Sequence, residues 1–315
     1  MGELRKRKII ISGGFGFIGK NLIERLYKKF RIAVIDIFRD EEFARRHPGI
    51  RYYKADLRKG TKLRGIIEKE QPDFIINLIS IVTARRDISL FEQMIDTNIR
   101  VLLNYFKVLN KYEKLKLFIN FGSAEEYGNI PPPFRENDKE IPNSPYSIVK
   151  HMTTNTCMML NKAYNFPVCV LRPGNVFGRY QDKAKFVPYI IDRLRKNRDI
   201  HMTEGKQKRD FIYADDLAFA VEKILRNYKK CAGEIINVSY GGSISLKDLV
   251  RYFKKKLESG SDIYFGSVPY REDEIMDFRC DVVKLEKTAG VKFHKDNILN
   301  AINKYITSMR IENLI

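Results

Sequence analysis

Cysteine and histidine are scarce in this 315-residue chain, with four of each. Cys157, Cys169, Cys231 and Cys280 lie far apart, and no CxxC or Cys/His spacing joins them to His47, His151, His201 or His294. That argues against a disulfide framework and a zinc site; no metal is expected, and the thiols suit a reducing compartment. Long hydrophobic runs are missing too: none approaches the ~18 apolar residues that a membrane span needs. The first eight residues, MGELRKRK, are charged and lead straight into an apolar segment. They carry no separate apolar stretch or cleavage pattern, so no secretory leader is expected and the expected location is the cytoplasm. Internal repeats, low-complexity tracts, a long basic arm and RNP-type or zinc-finger signatures are absent as well. Charge of one sign is nevertheless in excess, with 58 Lys and Arg against 39 Asp and Glu, a net +19. It is spread over short clusters such as Arg193–Arg198, Lys206–Arg209 and Lys254–Lys256. This pattern fits a solvated basic surface that attracts phosphorylated ligands better than dedicated nucleic-acid binding. Neither a specific nucleic acid nor a membrane is expected as a partner.

What is present begins at Lys8-Ile9-Ile10-Ile11-Ser12-Gly13-Gly14-Phe15-Gly16-Phe17-Ile18-Gly19. A short apolar run, three glycines at three-residue spacing and an amphipathic segment over Lys20–Lys29 read as buried strand, tight turn and helix. In such a unit Gly13 permits the turn, Gly16 lets a pyrophosphate approach the backbone, and Gly19 lets the helix pack closely on the strand. The helix N-terminus offers N–H groups and partial positive charge to an anion. Gly13, Phe15, Gly16, Phe17 and Ile18 are therefore candidate cofactor contacts. The next apolar run, Ile32–Ile35, ends in Asp36, near the distance expected of an acid that hydrogen-bonds an adenosine ribose. Asp36 would repel a 2′-phosphate and so favours NAD over NADP; Arg39 nearby argues weakly the other way.

Strand and helix patterns then alternate. Ile50–Lys54, Asp73–Ile79, Leu115–Phe121 and Val168–Leu171 read as strands, and Lys62–Glu70, Phe91–Tyr112 and Ser144–Asn165 as helices. This is the pattern of an α/β protein with a Rossmann-type, doubly wound parallel sheet. A proline-rich loop over Asn129–Asn143 falls at the sheet's carboxyl edge, where ligands of such folds sit. From Arg172 onward the alternation loosens. The expected organisation is a cofactor-binding Rossmann domain over residues 1–171 and a smaller mixed α/β substrate lobe over 172–315, with about 207–240 returning to the first domain.

Tyr146 and Lys150 lie one helical turn apart and share a face. Ser123 follows the end of the Leu115–Phe121 strand, where its hydroxyl can face that helix. The combination suits proton and hydride transfer at a carbinol. Bringing a phenol from its ordinary pKa of about 10 to about 7 requires roughly 4 kcal/mol of preference for the phenolate. One ammonium about 4 Å away supplies about that much at an effective dielectric near 20. Lys150 is thus expected to activate Tyr146, with Ser123 holding the substrate oxygen against it.

These segments, with Asp56-Leu57, Asn98, GSAEEYG at 122–128, SPYSIVK at 144–150, LRPGNVFG at 171–178, RDFIYADD at 209–216, INVSYGGSIS at 236–245 and Asp281–Lys284, resemble the extended short-chain dehydrogenase/reductases of the NAD-dependent sugar epimerase/dehydratase family over nearly the whole length. The resemblance implies a catalytic Ser123/Tyr146/Lys150 triad, with Lys150 also on the nicotinamide ribose. It implies Asp56 and Leu57 beside the adenine, Asn98 in a structural or near-cofactor position, Asn175 on a nucleotide sugar, Arg209 and Arg271 on its diphosphate, and a homodimer formed through two helices of each subunit. Family dehydratases acting on dTDP-glucose carry Thr-Asp-Glu where this chain has Ser123-Ala124-Glu125, so the acid that protonates the leaving hydroxyl is missing. The expected function is hydride transfer at C4 of a nucleotide-diphosphate sugar, as 4-epimerase or 4-dehydrogenase/4-ketoreductase. A 4,6-dehydratase using Glu125 is the alternative among enzymes. A non-catalytic NAD-binding or RNA-binding module is the alternative of another class, and the intact Ser-Tyr-Lys set argues against it.

Overall fold

The computed structural model describes residues 7–83, 87–294 and 297–311; the charged residues 1–6 of the N-terminal run lie outside them. Seven strands form one sheet: β1 (Lys8–Ser12), β2 (Arg31–Asp36), β3 (Arg51–Lys54), β4 (Phe74–Asn77), β5 (Leu117–Phe121), β6 (Val168–Pro173) and β7 (Ile235–Val238). They lie in the order β3-β2-β1-β4-β5-β6-β7, and every neighbouring pair is parallel. Strand order reverses between β1 and β4, so a crevice opens at their carboxyl ends.

The apolar runs are continuous because both faces of the sheet are covered. Side chains alternate between two cores. Ile9, Ile11, Val34, Ile76 and Ile119 join one, with the helices Phe17–Leu26 and Ala214–Arg226. Ile10, Ala33, Ile35, Ile75 and Phe118 join the other, with the helices Leu63–Glu70, Val101–Leu109 and Pro145–Tyr164. Among the described residues no helix is long and apolar enough to cross a membrane.

The first helix starts at Phe17, three residues before the expected Lys20, because Gly16 itself serves as its N-cap. The helix expected over Phe91–Tyr112 is not continuous. An α-helix over Phe91–Ile95 passes into a π-helical turn, Asp96–Arg100, and then into Val101–Leu109. A π turn takes up one additional residue without breaking the apolar pattern, so periodicity alone reads through it. Asn98 sits buried in this turn and donates its amide to the Met94 carbonyl at 2.9 Å.

Beyond β6 the chain builds small sheets around the crevice. Asn175–Phe177 runs parallel to Phe211–Tyr213, and Lys208–Arg209 lies between Ile244–Ser245 and Asp277–Phe278. Buried Asp210 ties them together: its carboxylate accepts the backbone N–H groups of Tyr240, Gly241 and Cys280, each at 3.2 Å. Its own carbonyl takes the Asn175 N–H at 2.9 Å. Burial pushes its carboxyl up to about 7, against the pull of those hydrogen bonds.

Candidate active site

The glycine turn follows the carboxyl end of β1, where the Gly13 N–H donates to the Ile35 carbonyl at 2.9 Å. Gly13 has φ +74°, a conformation that favours glycine. A Cβ on Gly19 would stand 2.5 Å from the Gly14 carbonyl oxygen and 2.6 Å from its Cα, so the helix packs against the turn itself rather than against the strand. Gly16 differs: a Cβ there would meet within 4 Å only the Gly13 carbonyl oxygen, at 3.3 Å. The helix that follows has no side-chain cap and no acid in its first turn. Its first N–H groups, Phe17 and Ile18 among them, have no acceptor within the helix, and no carboxylate of their own answers the dipole. Phe15 buries its ring against Tyr52, Phe43 and Phe38, so only its backbone faces the turn.

Asp36 ends β2 directly beside this turn. It accepts the Phe15 N–H at 3.1 Å on one oxygen and the Ile37 N–H at 2.8 Å on the other. Burial raises its pKa, and these bonds hold it down. Arg39 points elsewhere, toward Glu41 at 3.5 Å and over the Tyr52 ring. Asp56 is paired with Arg58 at 2.8 Å, and that pairing lowers its pKa. Leu57 is buried in the core, with its carbonyl held by the Asn104 amide at 2.8 Å. A cradle with uncapped N–H groups, space at Gly16 and a carboxylate at the end of β2 fits an adenine dinucleotide.

Across the crevice, Tyr146 and Lys150 project from the helix Pro145–Tyr164. Its start is fixed by Pro145 and by a reciprocal Ser144/Ser147 cap, with bonds of 3.1 and 2.9 Å. The Ser123 side chain lies close enough to Tyr146 to favour ionisation of its phenol. Buried Lys150 donates to the Phe121 carbonyl at 2.7 Å and stands 5.9 Å from the Tyr146 ring centre. Ser123, Tyr146 and Lys150 are therefore brought together. The expectation that Lys150 alone draws the phenol toward neutrality is not met in the ligand-free protein. Burial pushes Tyr146 well above the usual phenol range, Ser123 works against this, and the charges of Glu125 and Glu126 add to it. Burial brings Lys150 down to about 8, and Glu126 opposes that.

The residues of the second half also converge. Arg209 carries an ion pair with Glu274 and donates to the Ile275 carbonyl at 2.6 Å. Burial lowers its pKa; the charges of Glu274 and Glu125 raise it, and that of Arg271 lowers it. Arg271 and Glu125 thus lie within electrostatic reach of Arg209, and Glu125 within reach of Tyr146 as well. Asn175 bonds backbone to backbone with Asp210, the residue after Arg209.

Sequence reasoning missed the charged group beside Ser123. Glu126 and Arg172 are both fully buried and paired at 2.7 Å, and Arg172 reaches Glu140 at 2.5 Å. Nothing in the spacing of these residues, on three separate segments, announces the contact. A carboxylate three residues after a Ser at a strand end was the one available signal, since it is the spacing of a reciprocal cap.

The model of the "NAD dependent epimerase/dehydratase family" matches residues 9–239. The chain is 26% identical over 286 residues to a putative UDP-glucose 4-epimerase of Methanocaldococcus jannaschii, covering 88% of this chain and 91% of that protein. It is 29% identical over 272 residues to the dTDP-D-glucose 4,6-dehydratase of Dictyostelium discoideum, covering 79% of this chain and 62% of that longer protein. Its fold is similar to that of the UDP-N-acetylglucosamine 4-epimerase of Methanobrevibacter ruminantium in complex with UDP-N-acetylmuramic acid, with a TM-score of 0.88 at 22% identity, covering 98% and 99% of the two chains. The family's cofactor is the NAD anticipated from Asp36. With the family model spanning most of its length and the doubly wound sheet in place, the chain belongs to the NAD-dependent epimerase/dehydratase family of enzymes.

Proposed function

We propose that the protein transfers hydride at C4 of a nucleotide-diphosphate sugar, as a 4-epimerase or a 4-dehydrogenase/4-ketoreductase. The observation that carries this reading is the meeting of Ser123, Tyr146 and Lys150 across the crevice from the glycine turn. Bound NAD supplies the hydride acceptor and donor. Gly13, Gly16 and the N–H groups of Phe17 and Ile18 hold its pyrophosphate, Phe15 orients the turn through its backbone, and Asp36 takes the adenosine ribose. Asp56 and Leu57 flank the adenine. Lys150, already hydrogen-bonded to the Phe121 carbonyl, reaches the nicotinamide ribose with another of its protons.

Tyr146 takes the proton of the C4 hydroxyl and returns it in the reverse step, while Ser123 binds the same oxygen. Two things favour its ionisation when the site is filled: the Ser123 side chain and the Lys150 ammonium. Arg209 and Arg271 bind the diphosphate, for which Arg209 gives up Glu274, and Asn175 contacts the sugar nucleotide. The partners are thus a nucleotide sugar and, for a family of this helix arrangement, a second copy of the chain. The cytoplasm is the proposed location, and residues 1–171 and 172–315 the proposed division of labour, with β7 returning to the large sheet.

Dehydration is the second reading, favoured by the position of Glu125, whose charge acts on both Tyr146 and Arg209. A panel of UDP-, GDP-, dTDP- and CDP-sugars, followed by NMR with NAD or NADP absorbance recorded alongside, separates the outcomes. The C4 reading predicts an isomerised sugar without net cofactor change, or stoichiometric oxidation or reduction of added cofactor with NAD preferred. A 4-keto-6-deoxy product would support dehydration instead, and no response to any sugar would overturn both.

A further inference from the structure

The charged group beside Ser123 has no part in the reaction as proposed above, yet it touches Ser123 and lies within electrostatic reach of Tyr146 and Lys150. Ser123 Oγ accepts the Glu125 N–H at 3.2 Å, and its backbone N–H donates to Glu126 Oε1 at 2.8 Å. The second oxygen, Glu126 Oε2, accepts from Arg172 Nε at 2.9 Å. Arg172 lies over the Tyr127 ring, 4.7 Å from its centre, and its far end is held by Glu140. The bareness of Gly122 makes this possible, since a Cβ there would stand 2.4 Å from Glu126 Oε1. A buried carboxylate and guanidinium are costly to desolvate, and an apolar pair would fill the same space more cheaply. Stability is therefore a poor reason for them.

We propose that Glu126, fixed by Arg172, is a positioning residue of the triad: it anchors the Ser123 backbone and places a carboxylate near Tyr146 and Lys150. The inference rests on the reading of Tyr146 as the acid/base. The charge of Glu126 acts in the same direction on both groups, holding the proton on Tyr146 and on Lys150. Among the described residues, the other titratable groups acting on them are Glu125 from the same turn and, from the same helix, Cys157, whose thiol burial pushes up and keeps neutral. Further out, Arg209 faces Glu125, and Glu140 adjoins Arg172 and, at 4.0 Å, His151. Glu126 thereby contributes to the pH at which the site changes protonation.

Glu126→Gln keeps an oxygen for the Ser123 N–H and removes the charge. It is expected to move the acid limb of the kcat/KM pH profile, in the oxidising direction, down by roughly half to one pH unit, since a phenol freed of a nearby carboxylate ionises more readily. The alkaline limb, set by Lys150, moves the same way. Glu126→Met removes charge and acceptor together at similar volume. It is expected to shift the profile likewise and to lower kcat about tenfold or more through the loosened Ser123. NAD titration confirms that each variant is folded. A folded variant of either kind with the wild-type pH profile overturns the proposal. If Tyr146→Phe retained full activity, the acid/base reading would fail instead, whatever the Glu126 variants did.

Discussion

Tyr146→Phe lowers kcat by roughly 10²–10⁴-fold, the range for loss of a positioned acid/base, and leaves NAD affinity nearly unchanged. The substitution removes one oxygen. That oxygen is the group on which the Ser123 side chain acts, and its residue lies on the face of the Pro145–Tyr164 helix shared with Lys150. The ring, which Lys150 approaches to 5.9 Å, stays in place. The glycine turn on the opposite side of the crevice is untouched, so NAD titration by fluorescence or calorimetry should overlay that of the wild type. The ligand-free phenol is held protonated by burial and by Glu125 and Glu126. Cofactor binding and chemistry therefore separate in this variant. Activity within tenfold of the wild type would remove Tyr146 from the mechanism.

The second large effect is on cofactor binding, and two glycines distinguish its causes. Gly19→Ala places a methyl group 2.5 Å from the Gly14 carbonyl oxygen, against backbone that cannot rotate away. The turn must move. The cost is on the order of 1–3 kcal/mol or more in stability, and NAD affinity falls at least about tenfold because the N–H groups that face the pyrophosphate shift with it. Gly16→Ala meets only the Gly13 carbonyl oxygen, at 3.3 Å, a contact relieved by a shift of a few tenths of an ångström, and Gly16 has an ordinary φ of −73°. Its stability should stay within about 1 kcal/mol of the wild type. Its NAD affinity should nevertheless fall at least about tenfold, because the new methyl group occupies the space left for the ligand. Thermal melts with and without NAD read both quantities. Unchanged NAD binding in Gly16→Ala would mean that the pyrophosphate lies elsewhere.

The two kinds of observation were unequally legible in the sequence. Parallel strands buried on both faces leave continuous apolar runs, so β1, β2, β4, β5 and β6 could be read directly. Glycine at Gly13 and Gly19 answers a local steric demand and was readable for that reason, although the partner of Gly19 is the turn and not the strand. Tyr146 and Lys150 were visible because helical spacing puts them on one face. The π turn at Asp96–Arg100 was invisible, since it leaves the hydrophobic pattern intact. So were Glu126, Arg172, Glu140 and Asp210. In a sequence each is one more charged residue in a chain rich in them, and what sets them apart is a long-range contact that only the folded chain creates. The effect of Lys150 on Tyr146 was overestimated for a related reason. Helical spacing shows one favourable ammonium, whereas the fold adds burial and two carboxylates that act the other way.

The central claim is hydride transfer at C4, and the most direct test is a nucleotide sugar that turns over, carrying deuterium at C4. The C4 reading predicts a primary isotope effect, with the label found at C4 of the epimer or in the reduced nicotinamide of added cofactor. A label recovered at C6 of a 4-keto-6-deoxy sugar would show that the hydride leaves C4 but returns at C6, which would contradict the epimerase and ketoreductase reading in favour of dehydration through Glu125. Turnover that leaves the C4 deuterium in place with no isotope effect would contradict chemistry at C4 altogether.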